Sequence, residues 1–502
     1  MIRQSGRSPT NTTPGRGGYC IRAVTDPLHD HDQAIAALDY IAAEARRYLA
    51  ELDQEPAKPP GADAAAEAIG GPLPESGEGT LPALRAMVEA SLPAATRSAG
   101  PRFFHFVTGG ATPAALAADW FTSTLDQNSF SWVSSPLGSQ LEKVTVGWLK
   151  DLFRLPNSWG GVLTTGATMA NFTALGAARR WWALEHGVDV DEDGLSGLPA
   201  VPVLASGYLH SSAVKALSML GIGRRRIRRF SKDPSGLADV AAIDMALRDL
   251  EGAPAIVVAT IGEVNAGGFD PLEEMAEVAR RHNAWLHVDG AFGIFARASA
   301  TATDLARGLE GARSVIGDGH KWLNVPYDCG FAFVSDPALL TGAFSLTGAP
   351  YLPEDSDARP SFGDRGPEAS RRARALAVWA SLKAYGRNGI QEMVDRHIAL
   401  AKRVGGQVEA AAGLELLAPV NLNVVCFRAH PAGAAEVELD ELNRRIGEAV
   451  LAEGSVYFGT TVYGGRVAFR PAISNWRTTE RDVDLIVPTV QRLAEQVLAD
   501  KR

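Results

Sequence analysis

The chain has 502 residues, 46% hydrophobic and 21% charged, close to the average of a globular protein, which excludes a disordered, collagen-like or coiled-coil chain. Its 49 basic and 58 acidic residues give a net charge of −9, so a general polyanion binder, which needs a net basic face, is not expected. No apolar run approaches the ~20 residues that cross a bilayer, and Cys20, Cys329 and Cys426 form neither a disulfide framework nor a C-x-x-C spacing.

Residues 1–25 read as a flexible tail. They carry Arg3, Arg7, Arg16 and Arg22 but no apolar signal core, and a solvated tail is favoured over a transit peptide, with a cytoplasmic location expected. Residues 26–125 read as an N-terminal helical segment, with a helix inside 30–55 and a Pro/Gly/Ala-rich linker at 54–82. From 126 to 375, short apolar strands at 160–165, 201–206, 254–260 and 284–289 alternate with helical stretches. A further strand is predicted at 329–334, and a long helix from near Pro367. Such alternation means βαβ units: a large α/β domain with a mostly parallel central sheet covered by helices. Residues 376–502 mix helices with short strands at 423–428 and 466–470, a smaller C-terminal α+β domain. The run Arg224 to Arg229 reads as a solvated or interface patch, and no nucleic-acid partner is expected.

In an open α/β sheet, ligands bind beyond the carboxyl ends of the strands. Four features stand there. Gly166, Ala167 and Thr168 join a strand to a helix; the free N–H groups of a helix start suit a phosphate, although an ordinary helix cap has the same pattern. Asp289 ends a buried strand, where a carboxylate needs a cation or strong donors: a structural ion pair, or the counter-charge of a protonated ring nitrogen. Lys321 follows His320 and is flanked by Trp322, Leu323 and Val325, whose apolar bulk strips water from the amine and would free it as a nucleophile, although a snorkelling surface lysine is the commoner reading of any one lysine. His210 stands just past a strand, as a cap, a core residue or a flat stacking group. Together these suggest pyridoxal 5′-phosphate, which needs a lysine amine, an acid at its ring nitrogen and an anion cradle. A hydrolytic metal held by His287, Asp289, Asp318 and His320 competes, but it leaves Lys321 and the phosphate-type turn without a role, so no metal is expected.

Seven stretches carry a resemblance: PRFFHFVTGG, FSWVSSPLGSQLEK, GVLTTGATMANFTAL, HVDGAFG, DGHKWLNVPYDCG, SRRARALAVW and ISNWRTTERDVD, in order between about residues 100 and 490. They resemble the group II pyridoxal-phosphate-dependent amino-acid decarboxylases, the family of aromatic-L-amino-acid, glutamate and histidine decarboxylases. The resemblance implies a fold-type I architecture and a homodimer with its active site at the subunit interface. It implies decarboxylation of an L-amino acid through an internal aldimine on Lys321. It makes Asp289 the partner of the pyridinium, His210 the group stacked on the ring and Ala291 the small residue on the other face. Gly166, Ala167, Thr168 and His320 become phosphate contacts. Tyr351 falls where the family keeps a mobile loop whose tyrosine assists protonation after carbon dioxide leaves, a step for which His210 is the other candidate.

An aromatic or bulky apolar substrate is favoured, with Phe104, Phe106, Phe130 and Trp132, beside Phe103, as pocket candidates. An acidic side chain would want Arg102, Arg372 or Arg374. The chain departs from the family pattern at Gly262-Glu263-Val264, where aromatic-acid decarboxylases commonly carry Gly-Thr-Thr, and at Met169, which replaces a common acidic residue. Oxidative deamination or transamination on the same scaffold is the alternative reaction.

Overall fold

A computed structural model describes residues 26–346, 356 and 358–500, so Tyr351, Cys20 and the expected tail lie outside the described residues. The described residues form two compact units, one within 26–51 and 61–95 and the other within 52–60 and 96–500.

The described part of the first unit holds a 3-10 turn, Pro27–Gln33, and helices Ala34–Glu51, Ala62–Glu67 and Thr80–Ala94. Asp30 ties the turn to the last helix, accepting the Thr80 backbone N–H at 3.0 Å and the Thr80 hydroxyl. The segment expected as a linker therefore contains one short helix and the start of another. Alanine, the strongest helix former, wins over Gly and Pro in ADAAAE.

The second unit is built on a seven-stranded sheet: β1 (Gly160–Thr164), β2 (Val203–Ser206), β3 (Ile227–Phe230), β4 (Ala255–Thr260), β5 (Ala284–Asp289), β6 (Ser314–Asp318) and β7 (Gly330–Val334). Their order is β1-β7-β6-β5-β4-β2-β3. Only β7 runs against its neighbours; the other pairings are parallel, as expected. β4 and β5 are buried at every position, because helices cover both faces of a parallel sheet. Residues 227–230 of the arginine-rich run form β3, an edge strand that the sequence reading did not foresee. Its arginines are exposed while Ile227 and Phe230 are half-buried, and charge on an edge discourages further strand pairing.

The long helix begins at Ala375, not near Pro367, and runs to Ala410 with a break at Gly386 (φ 62°). The stretch before it is anchored on β1 instead. The buried Arg371 guanidinium holds the Glu142 carboxylate at 2.8 and 3.0 Å and donates to the Leu163 carbonyl at 2.6 Å. Glu142 in turn accepts the Leu163 N–H at 2.9 Å.

A four-stranded antiparallel sheet, β8 (Leu414–Leu416), β9 (Phe427–Ala429), β10 (Thr460–Tyr463) and β11 (Arg466–Phe469), lies in the order β10-β11-β9-β8. The strand expected at 423–428 is short, because Val424 makes only an isolated bridge to Ala472. Phe104 packs into the core here with Val404, Phe427, Ile446, Phe458 and Phe469. This corrects its expected role: with 1% exposure it is core, not pocket lining. Among the described residues, no helix is long and apolar enough to cross a membrane.

Candidate active site

The anion cradle starts where β1 ends. Gly166 has φ 149°, a conformation that L side chains rarely adopt, and a Cβ there would meet His320 Cε1 at 2.9 Å. Glycine thus keeps open the space between His320 and the helix Ala167–Leu184. The first N–H to bond back is that of Ala170, to the Gly166 carbonyl at 2.9 Å. The N–H groups of Ala167, Thr168 and Met169 therefore lack an intrahelical acceptor, at the positive end of the helix dipole. His320 Nδ1 accepts the Cys329 N–H at 3.2 Å, so the neutral ring carries its proton on Nε2. Burial holds its pKa below the usual histidine value. Tyr327 stacks on this imidazole at 4.2 Å. Free helix N–H groups, an imidazole N–H and a cleft that a Cβ would fill fit a phosphate group.

Asp289 ends β5, 3% exposed. Its Oδ1 accepts the Ala291 N–H at 3.2 Å, and its Oδ2 accepts from Asn171 Nδ2 at 3.1 Å. These two donors fix the orientation of the carboxylate. The Asn171 amide must turn its NH2 toward the carboxylate, so its Oδ1 faces His287 and accepts from Nε2 at 2.8 Å. His287 Nδ1 then accepts from Ser314 Oγ at 2.8 Å, and Ser314 accepts from Trp285 Nε1 at 2.8 Å. Burial pushes the His287 pKa down to about 4. Both ring nitrogens are engaged, which removes His287 from the competing metal reading. No group of three His, Cys, Asp or Glu able to hold a metal ion occurs among the described residues.

His210 caps the helix Ser211–Met219: its Nδ1 accepts the Ser212 N–H at 3.2 Å, leaving the ring proton on Nε2. The Asn171 amide also reaches Ser212 Oγ, at 3.3 Å, so one side chain links Asp289 to the segment that orients His210. Burial lowers the His210 pKa, and the charges of Asp289, Lys321, Arg470 and Asp318 all act on it. Lys321 is largely buried, with Nζ 3.0 Å from Asp318 Oδ2 and 5.9 Å from the centre of the Phe292 ring. Ala291 is half-buried, and its carbonyl accepts the Asp318 N–H at 2.9 Å. The strand ends thus bring together Gly166, Ala167 and Thr168 on one side, and His210, Asp289, Ala291, His320 and Lys321 around them.

Three residues were missed by the sequence reading. Asn171 gave no signal, since one asparagine inside a helical stretch has no informative spacing. Asp318 was read only as a metal ligand. Arg470 directly follows β11, is 6% exposed, and has buried Nε and Nη2 atoms without hydrogen-bond partners. Its charge acts on His210, Glu263 and His105. A charged residue closing an apolar strand, the signal that exposed Asp289, was equally present in RVAFR.

The carboxylate that Glu263 brings turns onto its own loop, accepting the N–H groups of Asn265 at 2.6 Å and Ala266 at 2.9 Å. Of the other pocket candidates, Phe106 is 64% exposed, Trp132 is half-buried, and the Phe130 ring lies against Gly363. The three nominated arginines are engaged elsewhere: Arg102 with Asp482, Arg372 with Asp119, and Arg374 with Asp328 and Glu368.

Residues 76–430 match the family described as pyridoxal-dependent decarboxylase conserved domain. The chain is 30% identical over 405 residues to the aromatic-L-amino-acid decarboxylase of Bacillus atrophaeus, covering 79% of this chain and 82% of that protein. It is 31% identical over 436 residues to the L-2,4-diaminobutyrate decarboxylase of Rhizobium meliloti, covering 85% and 84%. The crystal structure of Oryza sativa TDC with PLP and tryptamine superposes with a TM-score of 0.85 at 27% identity, covering 94% of this chain and 99% of that one. The fold and site therefore define a pyridoxal-phosphate-dependent carboxy-lyase of amino-acid metabolism. The chain belongs to the pyridoxal-dependent decarboxylase family.

Proposed function

We propose that this chain removes the α-carboxyl group of an L-amino acid with an aromatic or bulky apolar side chain, giving the amine and carbon dioxide. Lys321 is then the point of covalent cofactor attachment. The observation that carries this reading is the convergence at the strand ends of the largely buried Lys321, the buried Asp289 that Asn171 links to the His210 segment, and the cleft between Gly166 and His320. Bound pyridoxal 5′-phosphate supplies an electron sink for the pair left when a bond at Cα breaks.

The protein's own groups divide the remaining work. The N–H groups at Ala167, Thr168 and Met169, with His320 Nε2–H, would hold the phosphate. Asp289, oriented by its two donors, would face the ring nitrogen and hold a proton on it. His210 would lie on one face of the ring and Ala291 on the other. His210 Nε2–H is one candidate proton donor to Cα, Tyr351 being the other by the family resemblance. Arg470, buried with unpaired N–H groups, would take a substrate carboxylate, since a guanidinium left unpaired in a dry site gains most from an anionic partner. With Arg102, Arg372 and Arg374 engaged, this supports a substrate with one carboxylate rather than two. We also infer a homodimer, as the family resemblance implies. The helix Ala34–Glu51 buries none of its residues and leaves Ile35 70% and Leu38 53% exposed, which supports an apolar face for a second copy.

The test is carbon dioxide release by the cofactor-loaded protein across the L-amino acids. Aromatic substrates should exceed glutamate and aspartate, and Lys321→Ala should release none. Arg470→Met should lose at least about tenfold in kcat/KM, the scale of one charge-assisted hydrogen bond. Production of an aldehyde or keto acid with ammonia, in place of the amine, would overturn the reading in favour of oxidative deamination or transamination.

A further inference from the structure

Asp318 has no part in the assignments above, yet it occupies the centre of the site. It is the last residue of β6, and its side chain is 2% exposed. Oδ2 lies 3.0 Å from Lys321 Nζ. Oδ1 is buried with no hydrogen-bond partner, and His320 Nε2, at 3.6 Å, is beyond hydrogen-bond length. A Cβ built on Gly166 would sit 3.6 Å from this same Oδ1 and 2.9 Å from His320 Cε1. The unpartnered oxygen therefore looks into the cradle that suits a phosphate.

Two features of this arrangement are at odds with cofactor binding as it stands. A phosphate would meet a carboxylate, and like charges in a water-poor site repel strongly. The lysine is ion-paired, whereas an amine must be neutral to attack a carbonyl. Moving one proton resolves both.

We propose that Asp318 is the proton acceptor for Lys321 during cofactor loading, and that it then faces the phosphate as a neutral donor. Oδ2 takes one proton from the Nζ ammonium. The neutral amine forms a C=N bond with the cofactor aldehyde carbon, and the carbonyl oxygen leaves as water. The proton stays on Asp318, and a half-turn of the carboxyl about its Cβ–Cγ bond carries the hydroxyl to the position of Oδ1, where it can donate to a phosphate oxygen. No oxidant or further reactant is required. The inference rests on the reading of Lys321 as the attachment point.

Asp318→Asn separates the two roles, because an amide can donate to a phosphate but cannot take the lysine's proton. The apoprotein is mixed with pyridoxal 5′-phosphate, and the growth of visible absorbance gives the attachment rate. Binding of pyridoxine 5′-phosphate, an alcohol that cannot form the C=N bond, is measured by fluorescence quenching. We expect attachment about 100-fold slower in the variant, the usual scale of a lost proton acceptor, with the alcohol bound at least as tightly as by the wild type. In Asp318→Ala, added formate should restore attachment in proportion to its concentration.

An unchanged attachment rate, or alcohol binding that weakens in step with it, overturns the proposal; the second outcome marks a structural role only. Borohydride reduction and peptide mapping then locate the adduct. An adduct on a residue other than Lys321 defeats both this inference and the site assignment. An adduct on Lys321 formed at the wild-type rate by Asp318→Asn defeats only the role of Asp318.

Discussion

Asn171 is a neutral side chain whose effect on the site is electrostatic. It gives one N–H to Asp289 and accepts one from His287, both inside a buried region. Asn171→Ala would leave an Asp289 oxygen and the His287 Nε2–H unpaired, at about 1–3 kcal/mol for each group, so cofactor affinity should fall about tenfold or more. Asn171→Asp is nearly isosteric and should nevertheless be worse than Ala, because it sets a second carboxylate about 3.1 Å from Asp289 and forces one of the pair to take up a proton. Equilibrium dialysis with pyridoxal 5′-phosphate checks the order; if Asp binds as well as wild type, shape rather than charge governs position 171. The same residue marks the limit of sequence reading at this scale. Lys321, Asp289 and His210 were legible because a charge or an imidazole at an apolar strand end is conspicuous. A neutral amide is not, and its importance arises only when β5 and the helix Ala167–Leu184 come together.

At the level of elements, the cradle depends on β1 being held in place from outside the sheet. The Glu142–Arg371 pair does this, with both side chains 1% exposed and both bonded to Leu163 of β1. Arg371→Met strands a buried carboxylate and should cost about 3–5 kcal/mol in urea unfolding. The double replacement Glu142→Leu with Arg371→Met should recover much of that loss, since it removes the uncompensated charge. If the double variant is no more stable than the single one, the bonds to Leu163 matter more than the charge balance. This anchor also explains why the start of the long helix was misplaced. SRRAR has a helix-compatible composition, but Arg371 has a stronger tertiary partner than any helical turn offers. β3 escaped notice for a related reason: a charge-dense strand at a sheet edge lacks the apolar pattern that made β4 and β5 legible.

Across the whole molecule, acid should destabilise the fold through histidines that are buried neutral. Burial lowers the pKa of His287 to about 4 and of His397 to about 3. The unfolded chain, with histidines near 6.5, takes up protons in acid that the folded chain refuses. These two residues therefore contribute stability that is complete above about pH 6.5 and is lost as pH falls toward 4. Each adds a slope of up to about 1.4 kcal/mol per pH unit. Asp270 acts in the opposite sense: burial raises its pKa to about 6, so its contribution is lost as pH rises from its unfolded value through 6. These two histidines set against Asp270 leave a net loss of up to about 1.4 kcal/mol for each unit between pH 6 and pH 4. His397 also joins this titration to the active site. Its Nδ1 accepts from Trp322 Nε1 at 2.8 Å, which fixes the residue next to Lys321 against the helix Ala375–Ala410. Protonating His397 removes that acceptor, so cofactor release and unfolding should coincide on an acid titration followed by visible absorbance and far-ultraviolet circular dichroism. In His397→Phe the slope should fall by about one group's worth, while stability at neutral pH drops by about 1–3 kcal/mol because the Trp322 N–H is left unpaired. A wild-type protein as stable in urea at pH 5 as at pH 7 would mean that these imidazoles reach water in the folded state.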